Sequence, residues 1–539
     1  MAVLFLTIAL GAFFRIYHTE WKIYSPDETN TSLRLSGHTV AQVTHFILDG
    51  KLHLVSDLDA YARPNATTTP GEIWQSLASE DPQHPPLFFL VTFASERLTG
   101  DSVFFRRLPA ILFGILAIAA AYWFGRELFR EATPAWLLTA LVAISPFHVA
   151  FAQNAREYSL FLLSICVSSA LLLAALRTGS RLALAGYALS VCLGCWGFTL
   201  FLLVAAAQGL YALLPASGAP PARRAWVLLA LCAGVLTFVP WLANLVRNAG
   251  VAVNDTTWQA TSLPASLYVG KWVFNIASVF FDLDYISLLW LPLALLVIAI
   301  SFAACFVFAR GTTPRVWLLP LLIGLIPLIA MGAPDLLRHE TRALQSRYLT
   351  ATWLALEVGT AGGLWLALKS ARGFALGAWR FGLSALLICG VLSCAVASQA
   401  RSWWTTGRQS VRVMPAIDDK LHELDAPTIV YLGGAQDEIL MLQPDAAPSL
   451  SFRLHRHLDE ATLSSAAHPY AILSSEEMSR VAVAHELTRI PVVETFEMRP
   501  DPAIDQLRRR GAASRNLEYA GRLDFGLYGL ADPATRPSP

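Results

Sequence analysis

The chain has 539 residues, of which 55% are hydrophobic and only 15% charged, against about 25% charged in an ordinary soluble domain. Its formal net charge is +1 and it carries no basic tail, which excludes the electrostatic footprint of a nucleic-acid binder. The composition is that of an integral membrane protein.

The first apolar run, Met1 to Phe14, lacks a basic n-region and a clear cleavage site, so it reads as a retained span. Just past it lies the polar stretch YSPDETNTS (24–32), with the adjacent carboxylates Asp27 and Glu28. Two readings compete. Ser25 or Asp27 could cap a helix over TNTSLRLSGH, with acids favoured in its first turn. At the mouth of a helical bundle, an oriented carboxylate is also a natural general base.

The segment 17–107 that contains this pair is about 90 residues long, too long for a simple connector. It holds turn signals at 62–72 (ARPNATTTPGE) and then the strip PPLFFLVTFA at 85–94. As a helix that strip extends about 15 Å, too short to cross a bilayer. Flanked by charges, it reads as a helix lying in the interface plane. The stretch 264–284, with Lys271 and Asn275 among aromatics, reads the same way. His84, ahead of Pro85 and Pro86, is either a solvated residue at a rigid helix start or a donor to a phosphate or carboxylate.

Further spans are predicted at 108–124, 135–152, 158–176, 225–245, 286–309, 316–333, 348–368 and 381–400. The tract 182–214 would extend about 50 Å as one helix, too long for one crossing. Cytoplasmic loops accumulate Lys and Arg, and charge decides the matter. Arg126/Arg130, Arg177/Arg181, Arg223/Arg224, Arg310/Arg315 and Lys369/Arg372/Arg380 fall on one side only if 182–214 crosses twice, turning near Gly194–Gly197. That gives eleven spans, the N-terminus inside and the C-terminus outside, with Arg15 and Lys22 as mild counter-charges.

The outer face then receives 17–107, QNAREY (153–158), the turn near Trp196, 246–285, 334–347 and everything after 401. QNAREY offers Arg156 and Tyr158, although an isolated Arg there can be a simple interfacial anchor. RHETRALQSRYL (338–349) offers Arg338, Arg342 and Arg347 with Tyr348. Arginines clustered on an outer face run against the usual bias, and phosphate binding through guanidinium forks would account for them. Glu357 lies mid-span, where a carboxylate needs a partner or a wet cavity. A structural pairing and a substrate-cavity role weigh equally.

All seven cysteines lie in apolar runs. The CxxC spacing of Cys192 and Cys195 therefore reads as small hydrophobes in a span. From about residue 401 the composition turns polar, and 403–539 reads as a small soluble α/β domain outside the membrane. Its predicted strands are PTIVYLGG (427–434) and PYAILSS (469–475), followed by a helical stretch EEMSRVAVAHEL. RPDPAIDQLRRRG reads as solvated helix surface. No internal repeat is evident, which argues against an inverted-repeat transporter.

An acidic pair, several arginines and a His on one face suit a carboxylate that deprotonates a hydroxyl while cations stabilise a phosphate leaving group. The order of PDET (26–29), HPPLFF (84–89), FFRRLPAILFG (104–114), SPFHVAFAQNAREYSL (145–160) and QSRYL (345–349) resembles the GT-C integral membrane glycosyltransferases. The resemblance is to glycosyltransferase family 39, the protein O-mannosyltransferase-like group, with the related aminoarabinose transferases, and covers about residues 1–400. It implies a mainly α, polytopic GT-C bundle over residues 1–402, with the soluble domain 403–539 outside the match.

The resemblance further implies inverting transfer from a polyprenyl-phosphate monosaccharide at a plasma membrane. Asp27 matches the catalytic base, with Glu28 beside it. His84 matches a position near the carrier phosphate. Arg156 and Tyr158, and Arg347 and Tyr348, match two basic-aromatic motifs, to which Arg342 and Glu357 are added as substrate-binding candidates. Some relatives use a divalent metal and others do not; no dedicated ligand set is present here beyond Asp27 and Glu28. The eukaryotic protein mannosyltransferases carry a lumenal β-trefoil that no loop of this chain can hold, so the acceptor stays open among lipid, glycan and protein. A lipid-linked oligosaccharide ligase, a polyprenyl-lipid flippase and a scaffold that docks partners are the alternatives.

Overall fold

A computed structural model describes residues 2–255, 259–260, 263–283, 288–402, 410–424, 426–432, 439–445, 449–454, 469–474, 487–489 and 525–530. The chain forms two compact units. The first comprises Met1–Thr19, Leu77–Gly100 and Phe104–Gln399, and the second Glu20–Ser76, Asp101–Val103 and Ala400–Pro539.

The first unit is helical. Among the described residues, six helices are long and apolar enough to cross a membrane: Val103–Phe129, Tyr158–Thr178, Leu291–Gly311, Pro314–Arg338, Ser346–Ser370 and Gly373–Gln399. Two bent pairs raise the number to as many as eight, Ala132–Ile144 with Pro146–Ala152 at 57° and Pro221–Leu236 with Val239–Arg247 at 51°. Both bends sit beside a proline, which cannot donate a helix hydrogen bond and drives its predecessor toward extended backbone. Ser145, before Pro146, adopts φ −60°, ψ 116°.

The remaining predicted spans coincide with shorter apolar helices, Ala2–Ile16, Arg181–Gly197 and Phe201–Leu213. The tract 182–214 is indeed two helices, interrupted where Phe198 turns extended. A Cβ on Gly194 would come within 2.7 Å of the Phe201 ring, so the turn needs a glycine there. The strip at 85–94 belongs to the helix Leu87–Thr99, whose Phe88 and Phe89 are fully buried within the protein.

Three of the five basic clusters meet through direct contacts, and the third and fourth both touch the end of the helix Phe201–Leu213. Arg130 and Arg177 both pair with Glu127 at 3.0 Å. Arg223 donates to the Arg177 carbonyl at 2.6 Å, Arg224 to the Leu213 carbonyl at 2.8 Å, and Tyr211 to the Arg315 carbonyl at 2.7 Å.

Arg15 corrects the sequence reading. It lies within the helix Ala2–Ile16, fully buried, and not in an outer loop. Its guanidinium donates to the carbonyls of Gly11 at 2.8 Å, Ala143 at 2.5 Å and Val142 at 3.0 Å. The last two are the acceptors that the break after Ile144 leaves without helical donors.

The second unit is built on a six-stranded sheet: β1 (His53–Leu54), β2 (Thr428–Leu432), β3 (Ser451–Phe452), β4 (Pro469–Ser474), β5 (Leu487–Arg489) and β6 (Phe525–Leu530). Their order is β1-β3-β2-β4-β6-β5, with β2 parallel to both β3 and β4 and the other pairs antiparallel. Two of these strands match the predicted ones, while the helical stretch expected at 476–487 lies largely outside the described residues.

The sequence boundary at 402/403 leaves 17–107 with the membrane domain, whereas the compact units join residues 20–76 to the C-terminal segment. The cause is a shared core. Leu33, Val43, Ile47, Val55 and Leu58 pack with Met414, Ile417, Leu421, Ile429, Leu450 and Phe452, and His53 pairs with Phe452 in the sheet.

Candidate functional site

Asp27 and Glu28 open the helix Pro26–Leu35 of the second unit. Ser25 is its N-cap, with extended backbone at φ −78°, ψ 160°, and Pro26 occupies the first helical position, where a missing N–H costs nothing. Glu28 closes a capping box. Its Oε2 accepts from the Ser25 amide at 2.9 Å and hydroxyl at 3.1 Å, and its own amide donates to Ser25 Oγ at 3.4 Å. Glu28 is fully buried, whereas Asp27 is half-buried. Of the two cap candidates, Ser25 is the N-cap and Glu28 completes its capping box, while the helix begins at Pro26, one residue before Asp27.

In the first unit His84 and QNAREY come together. The turn before Pro85 is pinned from two sides, by Trp241 Nε1 of the helix Val239–Arg247 donating to the Pro82 carbonyl at 3.0 Å and by Thr199 Oγ1, in the turn after Gly197, donating to the Gln83 carbonyl at 2.7 Å. His84 Nδ1 lies 2.6 Å from Glu157 Oε1. Arg156 Nη2 lies 3.0 Å from His84 Nε2, and Arg156 Nε stands 3.5 Å from Glu157 Oε2.

Arg156 and Glu157 are both buried. Burial is the largest influence on Glu157 and pushes its carboxyl up, but the charges of Arg156 and His84 and the His84 hydrogen bond overcome it and hold the pKa at about 2. The result is a compact charged cluster inside the protein. Gln153 anchors the same segment, donating to the carbonyls of Phe14 at 2.8 Å and Tyr17 at 2.7 Å. Tyr158 is buried, edge-on to Phe151 at 4.9 Å and Phe198 at 5.8 Å.

The candidates of 338–349 form a second group. Arg342 pairs with Glu340 and Arg347 lies over the Tyr348 ring at 5.4 Å. Gln259 Nε2 donates to the Tyr348 hydroxyl at 3.2 Å. Asp335 holds the loop, accepting from the Arg342 amide at 2.8 Å and the Ala343 amide at 3.0 Å.

Glu357 is fully buried, and its Oε2 lies 3.0 Å from His148 Nε2. It is thus paired, as one of its two readings required.

Sequence reasoning overlooked Glu157 and His148. An acid beside an arginine at a span end, and a His inside an otherwise apolar span, were the available signals. Among the described residues, no group of three or more His, Cys, Asp or Glu side chains gathers as a metal site.

Residues 83–243, which include His84, Arg156 and Tyr158, match the family model of the dolichyl-phosphate-mannose-protein mannosyltransferases. The fold is similar to that of ArnT from Cupriavidus metallidurans. The likeness covers 99% of both chains at 14% identity, with a TM-score of 0.51 to the form bound to undecaprenyl phosphate. To the apo form the TM-score is 0.50, over 99% of this chain and 98% of that one, again at 14% identity. The apo oligosaccharyltransferase of Archaeoglobus fulgidus is similar over 89% of this chain and 70% of that one, at 12% identity and a TM-score of 0.50. Among curated protein sequences no relative matches the chain.

Proposed function

Because the chain is of the GT-C type and protein-mannosyltransferase-like over residues 83–243, we propose that it transfers a monosaccharide from a polyprenyl-phosphate donor to a hydroxyl acceptor. The transfer takes place at the outer face of the plasma membrane. Asp27 is the general base. It takes the acceptor proton as the hydroxyl oxygen attacks the anomeric carbon opposite the phosphate. The carbon–oxygen bond to the carrier breaks, polyprenyl phosphate leaves, and the configuration inverts. Arg156, with His84 and Tyr158 beside it, and the loop residues Arg342, Arg347 and Tyr348 meet the developing phosphate charge.

The observation that carries this reading is the division of labour in the acidic pair. Glu28 completes the Ser25 cap, and Asp27 stands beside it in the first turn of a helix whose start the cap fixes, which supports Asp27 as the oriented carboxylate of the pair. ArnT holds undecaprenyl phosphate, a carrier of the kind proposed here.

The test is reconstitution with a panel of polyprenyl-phosphate monosaccharides and lipid, glycan and peptide acceptors. The wild type forms product of inverted anomeric configuration, and Asp27→Asn turns over about 10²–10⁴-fold more slowly while still binding donor. Wild-type rates in Asp27→Asn would remove the base, and a wild type inert toward every donor would remove the reading.

A further inference from the structure

We propose that His148 is a positioning residue for this transfer, acting through Glu357. It holds the second half of a broken span, and with it the Arg156–Glu157–His84 cluster, in the arrangement that serves the donor phosphate. The inference rests on the function proposed above.

The span Ala132–Ile144 breaks at Ser145, and Pro146–Ala152 continues at 57° to it. Four residues after Ala152 the chain reaches Arg156. The orientation of this short helix therefore sets where Arg156 and Glu157 stand. The first half is tied at its end by Arg15 and by Cys394, whose Sγ lies 3.3 Å from the Ile144 carbonyl. The second half is tied at its start by the Phe147 amide, which donates to the Ser278 carbonyl at 3.2 Å. Its buried side-chain tie to the helix Thr350–Ser370 is the contact between His148 and Glu357, 209 positions apart.

The chemistry of that contact argues for placement over stability. Both side chains are almost wholly excluded from solvent, and Glu357 Oε1 has no hydrogen-bond partner among the described residues. A buried polar pair with an unsatisfied oxygen contributes little or nothing net to folding, and apolar residues of similar volume commonly do as well. What an apolar pair cannot supply is a directional bond that fixes the rotation of a seven-residue helix.

Three variants, His148→Leu with Glu357→Leu, Glu357→Leu alone and Glu357→Gln, separate the roles. The double variant melts at the wild-type temperature or above it. Its kcat falls about tenfold, its donor KM stays within about threefold, and amides 153–158 exchange faster. Glu357→Leu alone lowers kcat at least as far, while Glu357→Gln, which keeps an acceptor for His148, recovers most of it. A double variant with wild-type kcat and wild-type exchange at 153–158 would overturn the inference. So would a raised donor KM at unchanged kcat, because Glu357 would then contact the donor directly. A wild type that transfers no sugar defeats the proposed function and leaves the exchange measurement to decide the positioning role alone.

Discussion

Glu157 is a carboxylate whose surroundings strongly set its protonation. Its folded pKa of about 2 lies below the ordinary 4.5, so the carboxylate form is favoured by folding. The stability it contributes is full above the ordinary value and is lost as pH falls through the folded one. The thermal midpoint of detergent-solubilised protein should therefore decline between about pH 4.5 and 2, and Glu157→Gln should flatten that decline while lowering the midpoint at neutral pH. Parallel acid profiles for the two proteins would show that the cluster does not couple to folding. The same variant leaves Arg156 and His84 without their common anion, so a fall in donor affinity should accompany the change.

At the scale of elements, the helix Thr350–Ser370 is shaped by glycines. A Cβ at Gly363 would lie 1.8 Å from the Ala304 carbonyl oxygen, and one at Gly359 2.6 Å from Cys305 Sγ. Small residues let two membrane helices approach closely, and packing takes the place of the hydrophobic effect there. Gly363→Val should accordingly cost about 1–3 kcal/mol or more through overpacking, read as a lower melting temperature and a smaller folded fraction. Gly377, in the helix Gly373–Gln399, has nothing within 4 Å of its added Cβ. Gly377→Ala should leave the midpoint unchanged or raise it, by up to about 1 kcal/mol in stability. Equal losses at the two positions would refute the close-approach account.

At the scale of the molecule, the proposed orientation makes a plain forecast. A tag at the C-terminus should be reached by antibody in intact spheroplasts, and a tag inserted at 217–219 only after permeabilisation. The reverse pattern would invert the topology. The apolar runs were readable because the period and length of a membrane helix are written locally, as were the turn at Gly197 and the capping potential of Ser25. What could not be read was pairing across long separations. The union of 20–76 with the C-terminal strands depends on contacts such as His53 with Phe452, and the bond of His148 to Glu357 spans 209 positions. Glu28 is an intermediate case, since the S-x-x-E spacing at 25–28 already announces a capping box.

The buried guanidinium of Arg15 has a bearing on biogenesis. At the end of a short apolar helix, an unshared arginine disfavours insertion, by about 2.5–3.5 kcal/mol on translocon scales at mid-helix. Its acceptors, the carbonyls of Val142 and Ala143, are synthesised more than a hundred residues later. The first helix therefore cannot reach its final seat as it leaves the ribosome. It must wait at the interface, or in the care of the insertion machinery, until the broken span arrives to receive it.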